Sequence, residues 1–186
     1  EEAEKNQENQ KDSGDFGDGG SSEDFTGGVN KDVENPIPVI RRVRKMGLID
    51  LVVLMLGTND LKIRFQATPT DIGKGIDRLI KMIKSITPQK RQDGQSAKIL
   101  LMSPPHLGDN LVDIPSGEEM GFERGISYSK RLAPIYEDWA KFHNIEFLDA
   151  AKYANPSEID ACHLTRESHR KLGKMVAKKC KEILEI

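Results

Sequence analysis

Three polar residues have the types and neighbours that acyl-transfer chemistry requires. Asn59 lies in a Gly-Thr-Asn-Asp motif directly after the apolar run 51–56, and Asp160 and His163 lie three residues apart before the last predicted helix. An acyl-transfer site needs a nucleophile, a base, a group that orients the base, and donors for the oxyanion. The amide of Asn59 can donate to an oxyanion, and a carboxylate at Asp160 can orient the imidazole of His163 as a base.

Each motif also has a purely structural interpretation. The Gly-Thr-Asn-Asp motif is typical of a polar turn that closes a strand, and Asp160 and His163 could be a surface carboxylate and a helix-capping imidazole. Cys162 is a candidate nucleophile beside His163, but we favour a small apolar filler at that position. His169 is interpreted as structural, and a metal site with His163 would need a third ligand that the sequence does not show. We therefore expect no metal and no other cofactor.

The apolar pattern predicts the elements that must position these residues. Apolar runs and helical spacing alternate along the chain, with strands over residues 49–56, 97–102 and 145–149, and helices over 37–47, from Thr68, over 127–143 and from about Thr165. This alternation predicts an α/β fold, with a parallel sheet covered by helices on both faces. Such sheets gather functional groups at the carboxyl ends of their strands. Asn59, Asp160 and His163 should therefore converge at that edge.

Two further segments have a predicted role. Residues 104–125 form a long connection containing glycine and proline, of the kind that often shapes a site. Pro134 lies inside the predicted helix 127–143 and should bend or restart it.

Composition excludes several classes of function. The chain has 186 residues, a net charge of −2 and a pI of about 6.1, so no general basic field indicates a nucleic-acid partner. No apolar run approaches the ~18–20 residues of a membrane span, and no signal peptide is visible. Cys162 and Cys180 make no disulfide framework, so we expect reduced thiols in a cytoplasmic protein.

The first residues differ from the remainder in charge and hydropathy. Residues 1–25 contain nine acids and two lysines, so they carry −7 and the remainder carries +5. We expect residues 1–30 to be a disordered acidic tail, because they bury too little apolar surface to offset their ordering entropy. The spaced acidic residues at 12–19 do not match the twelve-residue pattern of a calcium-binding loop, so they do not indicate a calcium site.

Four segments in order resemble one family of hydrolases. They are LVVLMLGTNDLK at 51–62, Ser-Pro-Pro at 103–105, Phe-Leu-Asp-Ala at 147–150 and Asp-Ala-Cys-His at 160–163. Over about residues 31–186 the chain resembles the SGNH hydrolase (GDSL-type esterase/lipase) family, specifically its arylesterase and acyltransferase-like members. The resemblance implies a three-layer α/β/α, flavodoxin-like fold and hydrolysis or transfer of short acyl esters. It implies that Asn59 is the oxyanion donor, Asp160 the orienting acid and His163 the base.

The family's Gly-Asp-Ser nucleophile block and its second block, which supplies an oxyanion glycine, are not found. Ser13 follows an aspartate, but residues 1–10 are unsuited to the buried strand that should precede it, and Ser21 and Ser22 are no better placed. The nucleophile is therefore unknown, and we expect the chain to be truncated, without the first two strands of the fold. The edge of strand 49–56 would then be uncovered and would favour self-association. The alternative function is a non-catalytic relative that acts as an interaction module.

Overall fold

The computed structural model describes residues 49–87 and 95–186, and at its centre is a three-stranded parallel sheet. The strands are β1 (Leu51–Met55), β2 (Lys98–Ser103) and β3 (Glu146–Asp149), in the order β1-β2-β3. Met55 pairs with Met102, and Ser103 pairs with Asp149, so the three carboxyl ends lie at one edge within about one residue of each other. The predicted α/β class and parallel sheet are confirmed.

Five helices and four 3-10 turns accompany the sheet in the described ranges. The helices are α1 (Pro69–Ile86), α2 (Ser116–Met120), α3 (Glu123–Lys130), α4 (Leu132–His143) and α5 (Arg166–Leu184), and the turns span Asn59–Leu61, Ile63–Phe65, Asp109–Asp113 and Ala150–Lys152. Helix α1 begins with a reciprocal capping box, in which Thr68 and Asp71 each accept a backbone hydrogen bond from the other. Thr165 caps α5 by accepting from the amide of Ser168. Both helix starts agree with the sequence prediction.

Alternation along β2 divides the core into two layers of helices. Ile99 and Leu101 pack with α1 and α4 in one cluster, whereas Leu100 and Met102 pack with Leu172 of α5 in the other. Successive side chains of a strand point to opposite faces, so this division follows directly from the strand geometry. The result is the predicted α/β/α arrangement of three layers.

Strand β1 is less covered than its apolar sequence predicts. A continuous apolar run is typical of a strand buried on both faces, yet Val53 is 43% and Met55 40% exposed. Leu54 points the other way and is buried in the cluster with α1 and α4. On the opposite face, the helix that the structure describes is α5, whose core contacts are with β2 and β3. Within the described sheet, β1 is also an edge strand.

The long connection and the following helix differ from the sequence prediction in detail. Residues 104–125 are not a plain loop, because they contain a 3-10 turn, α2 and the start of α3. The predicted helix 127–143 is two helices, α3 and α4, separated at Arg131. Pro134 is the third residue of α4, where its missing N–H has no intrahelical acceptor to lose. Proline therefore restarts the helix.

Three predicted features lie outside the described residues. They are the acidic tail at 1–30, the helix at 37–47 and most of the polar loop 88–96.

A second histidine–carboxylate pair, outside the motifs that contain the candidate site residues, joins α1 to α4. His143 Nε2 lies 2.7 Å from Asp77 Oδ1, and the two side chains are only 9% and 15% exposed. Lys81 donates to the other oxygen of Asp77 at 2.7 Å. Burial raises the pKa of Asp77, but the hydrogen bonds from Lys81 and His143 outweigh it and hold the pKa below its ordinary value. The carboxylate is therefore ionised at neutral pH and stabilises the contact between the two helices.

Asp77→Asn should lower the free energy of unfolding by about 1–3 kcal/mol at pH 7, because it weakens a nearly buried, charge-assisted hydrogen bond. Urea unfolding measures the difference. Glu137→Gln is the matched control on α4, where Glu137 pairs with Lys141 at side-chain exposures of 50% and 68%. That control should change stability by less than about 0.5 kcal/mol. Equal effects of the two substitutions would contradict the role given to Asp77.

Candidate active site

The carboxylate of Asp160 binds His163 and the backbone around it. Its Oδ2 lies 2.6 Å from Nδ1 of His163, and its Oδ1 accepts from the backbone amides of Cys162 at 3.1 Å and His163 at 2.9 Å. Ser157, three residues earlier, donates its hydroxyl to the same Oδ1 at 2.9 Å. Four donors therefore fix one carboxylate, and the fourth, Ser157, was missed by sequence reasoning. A serine three residues before the aspartate was its only sequence signal.

This hydrogen bonding determines the protonation state of the pair. Burial raises the pKa of Asp160, but the hydrogen bonds from Cys162, His163 and Ser157 outweigh it, and the pKa lies far below its ordinary value. Because the carboxylate is ionised, it can only accept, so Nδ1–H of His163 donates to it. Nε2 is then left as an acceptor. The His163 side chain is 86% exposed, and Nε2 hydrogen-bonds to nothing in the described part of the chain.

The loop that carries the pair is closed on itself by backbone hydrogen bonds. The amide of Ser157 donates to the carbonyl of His163 at 2.7 Å, and the amide of Ala161 donates to the carbonyl of Ser157 at 2.9 Å. Ala161 is fully buried and has a φ of +56°. This lies in the left-handed region of backbone conformation, which residues other than glycine rarely adopt. The loop holds this conformation because its hydrogen bonds over-determine it.

Asn59 lies in a tight turn beyond the carboxyl end of β1. The chain leaves the strand through Gly57 at φ +123° and then forms the 3-10 turn Asn59–Leu61. The buried hydroxyl of Tyr136 on α4 donates to the carbonyl of Leu56 at 2.8 Å, directly before this glycine. Asn59 itself is half-buried. Asn59 is therefore placed beyond the carboxyl end of β1 and is partly accessible, and its role as an oxyanion donor stays a prediction.

The turn and the loop meet through the main hydrophobic core. Leu61 and Ala161, one from each segment, belong to the same buried cluster, and Cys162 packs against it. The charge of Lys62, which follows the turn, acts on the thiol of Cys162. These relations bring Lys62, directly after the Asn59 turn, near Cys162 in the loop of Asp160 and His163. The convergence of Asn59 with the pair stays a prediction.

The environment of Cys162 fits a small apolar residue that fills space in the loop, and not a nucleophile. Burial and the nearby Asp160 carboxylate raise the pKa of its thiol, so little thiolate forms at neutral pH. His169 lies exposed on α5, away from the loop hydrogen bonds. Across residues 49–87 and 95–186, no three histidine, cysteine or acidic side chains gather as a metal site. No helix in those ranges has the length and hydropathy to cross a membrane.

The described part of the structure does not identify a serine nucleophile. Ser157 donates to Asp160, and the fully buried Ser103 donates to Asp149 at 3.1 Å, so both hydroxyls support carboxylates. Within the ranges that the structure covers, no serine hydroxyl is hydrogen-bonded to His163. The weak candidates Ser13, Ser21 and Ser22 lie outside those ranges.

Gly57→Ala should destabilise the protein by about 2–4 kcal/mol, because a side chain at positive φ is strained and its Cβ would overlap the hydroxyl of Tyr136. Gly173→Ala is the matched control, since apart from its chain neighbours and the backbone of α5 itself nothing lies within 4 Å of the added Cβ. That substitution should stabilise by about 0.5–1 kcal/mol. Chemical denaturation of both variants measures the contrast. A neutral Gly57→Ala would contradict the packing described for the Asn59 turn.

Asp160→Asn should lower stability at pH 7 and lose its effect in acid. The folded pKa of Asp160 is lowered, so its stabilisation is present above the unfolded value of about 3.9 and is lost as the pH falls through the lower folded pKa. Thermal unfolding of wild type and variant between pH 7 and pH 2 should give curves that converge below about pH 4. A constant difference across this range would show that the carboxylate charge contributes nothing. Asp113→Asn, at an exposed aspartate, is the control.

Comparisons with known proteins agree with the fold. The model of the GDSL-like lipase/acylhydrolase family matches residues 13–171. A solved carbohydrate acetylesterase family member from Sinorhizobium meliloti is 29% identical, with a TM-score of 0.71 over 80% of this chain and 68% of its own. The native aryl esterase of M. smegmatis is also 29% identical, with a TM-score of 0.69 over 78% of this chain and 66% of its own. A search of curated proteins found no significant match.

The chain is shorter than the solved relatives. A third solved structure is 31% identical with a TM-score of 0.72, and the match covers 78% of this chain but only 64% of that one. The chain thus spans about two thirds of the length of these relatives.

Proposed function

Because the chain belongs to the GDSL-like lipase/acylhydrolase family, we propose that its site is built to hydrolyse carboxylic esters of small acyl groups. The observation that carries this proposal is the Asp160–His163 pair. An ionised carboxylate with four donors fixes the imidazole, and the acceptor nitrogen Nε2 is exposed to solvent. Acyl transfer requires a base held in one tautomer, as His163 is, together with a donor for the oxyanion, the role that this proposal gives to Asn59.

Each residue has a defined step in this proposal. A serine hydroxyl attacks the ester carbonyl while His163 Nε2 takes its proton, and Asp160 stabilises the imidazolium. The side-chain amide of Asn59 donates to the oxyanion that forms as the carbonyl double bond opens. His163 then gives its proton to the departing alcohol. Water, activated by the same imidazole, breaks the acyl-serine bond and releases the acid.

The serine hydroxyl would come from residues outside the described ranges or from a partner chain. The family match begins at residue 13, so it includes Ser13, Ser21 and Ser22. We propose that the chain alone is impaired as an esterase, since none of these serines follows an apolar strand in the sequence.

The substrate class follows from the named relatives. One belongs to a carbohydrate acetylesterase family and the other is an aryl esterase. Acetyl and similar short esters of sugars or phenols are therefore the proposed substrates. If an alcohol replaces water in the second step, the same residues would transfer the acyl group to it.

One observation favours the alternative, a non-catalytic interaction module. Val53 and Met55 form an exposed apolar strip on β1, which is an edge strand of the described sheet. Exposed strand edges pair readily with other chains, so self-association would fit this alternative as well as an enzyme completed by a partner.

Hydrolysis of 4-nitrophenyl acetate separates the two functions. The chain alone should show slow turnover, orders of magnitude below a complete site, because an oriented base and an oxyanion donor still give residual catalysis. His163→Ala should lower this rate by about tenfold or more, whereas His169→Ala, the matched control on α5, should not change it.

Labelling with a fluorophosphonate probe completes this test. We expect no labelled serine in the chain alone. Efficient turnover with one labelled serine would identify the nucleophile and refute the proposed impairment. Equal rates for the two histidine variants would refute His163 as the base and favour the interaction module.

A further inference from the structure

The chain from the end of β2 to the first turn of α3 contacts both the loop that carries Asp160 and the turn that carries Asn59. On one side, the hydroxyl of Ser116 donates to the carbonyl of Asp160 at 3.2 Å, and the amide of Gly108 donates to the carbonyl of Ala161 at 2.8 Å. The other side is reached by Arg124, in the first turn of α3. One segment of chain therefore lies between the two parts that must be aligned.

Arg124 binds the turn that carries Asn59. One guanidinium nitrogen donates to the carbonyl of Leu61 at 3.2 Å, and another donates to the carbonyl of Ala67 at 3.1 Å. Both acceptors belong to buried residues, which are 1% and 7% exposed. The planar guanidinium can reach two carbonyls at fixed geometry, and a lysine ammonium has no such fork. Arg124 thereby holds the end of the Asn59 turn at Leu61 and the residue before the N-cap of α1 at Ala67.

The backbone before Arg124 is strained. Gly121 has a φ of +77°, and the next residue, Phe122, has a φ of +49° with a ψ of −122°, although it is not a glycine. A Cβ on Gly121 would lie 2.5 Å from Ile63, in the 3-10 turn that follows Lys62. Such strain persists only where the surrounding structure over-determines it, and it is commonest at functional sites. Here the strained residues directly precede α3, and Gly121 packs against the 3-10 turn Ile63–Phe65, which follows the Asn59 turn.

We propose that Arg124 is a positioning residue that holds Asn59 in alignment with the Asp160–His163 pair. This inference rests on the proposed function of that pair. Arg124 acts through the carbonyls of Leu61 and Ala67 and touches no reacting atom. Small displacements of an oxyanion donor reduce turnover strongly, so the loss of this contact lowers kcat more than it changes KM.

The chain offers a matched control for Arg124. Arg124 and Arg131 both stack on the ring of Tyr128, at 4.5 Å and 5.6 Å from its centroid. Of these two arginines, Arg124 is the one that donates to the carbonyls of Leu61 and Ala67. Arg124→Met keeps an unbranched stem and removes the donors, and Arg131→Met removes a similar stacking contact elsewhere on the same ring.

Two measurements on the full chain test the proposal. The first is amide hydrogen exchange at Leu61 and Lys62, which donate to the carbonyls of Thr58 and Asn59. Exchange should become about tenfold faster or more in Arg124→Met and stay unchanged in Arg131→Met. The second is the His163-dependent hydrolysis of 4-nitrophenyl acetate. There kcat should fall about tenfold or more in Arg124→Met, with KM within about twofold.

The outcomes separate this inference from the proposed function. If Arg124→Met matches Arg131→Met in exchange or in kcat, Arg124 is not a positioning residue. If the wild type shows no His163-dependent hydrolysis, the proposed function fails and the exchange result alone decides whether Arg124 holds the turn. If Arg124→Met does not fold, Arg124→Lys, which keeps one charged donor group, replaces it in both measurements. It should give intermediate exchange and intermediate kcat.

Discussion

The ionised carboxylate of Asp160 is the constraint on which the site depends. It is partly buried, so without partners its charge would be costly, and the chain surrounds it with four donors. Three of those donors shape the loop, and the fourth is the imidazole of His163. The same interactions that lower the pKa of the carboxylate therefore also set the orientation and tautomer of the base. The left-handed Ala161 in the middle of the loop is the conformational cost of this arrangement.

The scaffold places the second predicted group, Asn59, beyond the carboxyl end of β1. Parallel pairing places the ends of β1, β2 and β3 together. Gly57 then turns the chain from β1 toward Asn59, and Tyr136 of α4 binds the carbonyl of Leu56, directly before this glycine. The chain from β2 to the first turn of α3 contacts the Asn59 turn through Arg124 and the Asp160 loop through Ser116. The ion pair of Lys62 and Glu119, at 3.1 Å, also joins the end of the Asn59 turn to α2. In the proposed site, this connection therefore contributes to the position of Asn59 as well as the sheet does.

Local sequence was sufficient for most of the fold. The strand positions, the capping box at Thr68 and the restart near Pro134 follow from apolar spacing, capping chemistry and the missing N–H of proline, all of which act within a few residues. The exposure of Val53 and Met55 did not follow, because burial of a strand depends on which elements cover it. The helices within 104–125 were also missed, since α2 has only five residues and little periodicity.

The residues of the candidate site also fall into two groups, those that local sequence predicted and those that it did not. Asn59, Asp160 and His163 stand in short motifs, so residue type and spacing were enough to nominate them, and the 2.6 Å contact between Asp160 and His163 has the expected geometry. Ser157, Tyr136 and Arg124 act through contacts with distant backbone or with one carboxylate oxygen. Arg124 lies 57 and 63 residues from its two acceptors, and no local pattern encodes such a contact.

The most direct test of the account is the tautomer of His163, read from the nitrogen-15 shifts of its ring at neutral and alkaline pH. The account predicts a proton on Nδ1, donated to Asp160, and an unprotonated Nε2 in the neutral imidazole. In Asp160→Asn this preference should weaken or reverse, because the amide is no longer a fixed anionic acceptor. A neutral His163 that carries its proton on Nε2 in the wild type would contradict the account, because the exposed nitrogen would then have no lone pair with which to act as a base.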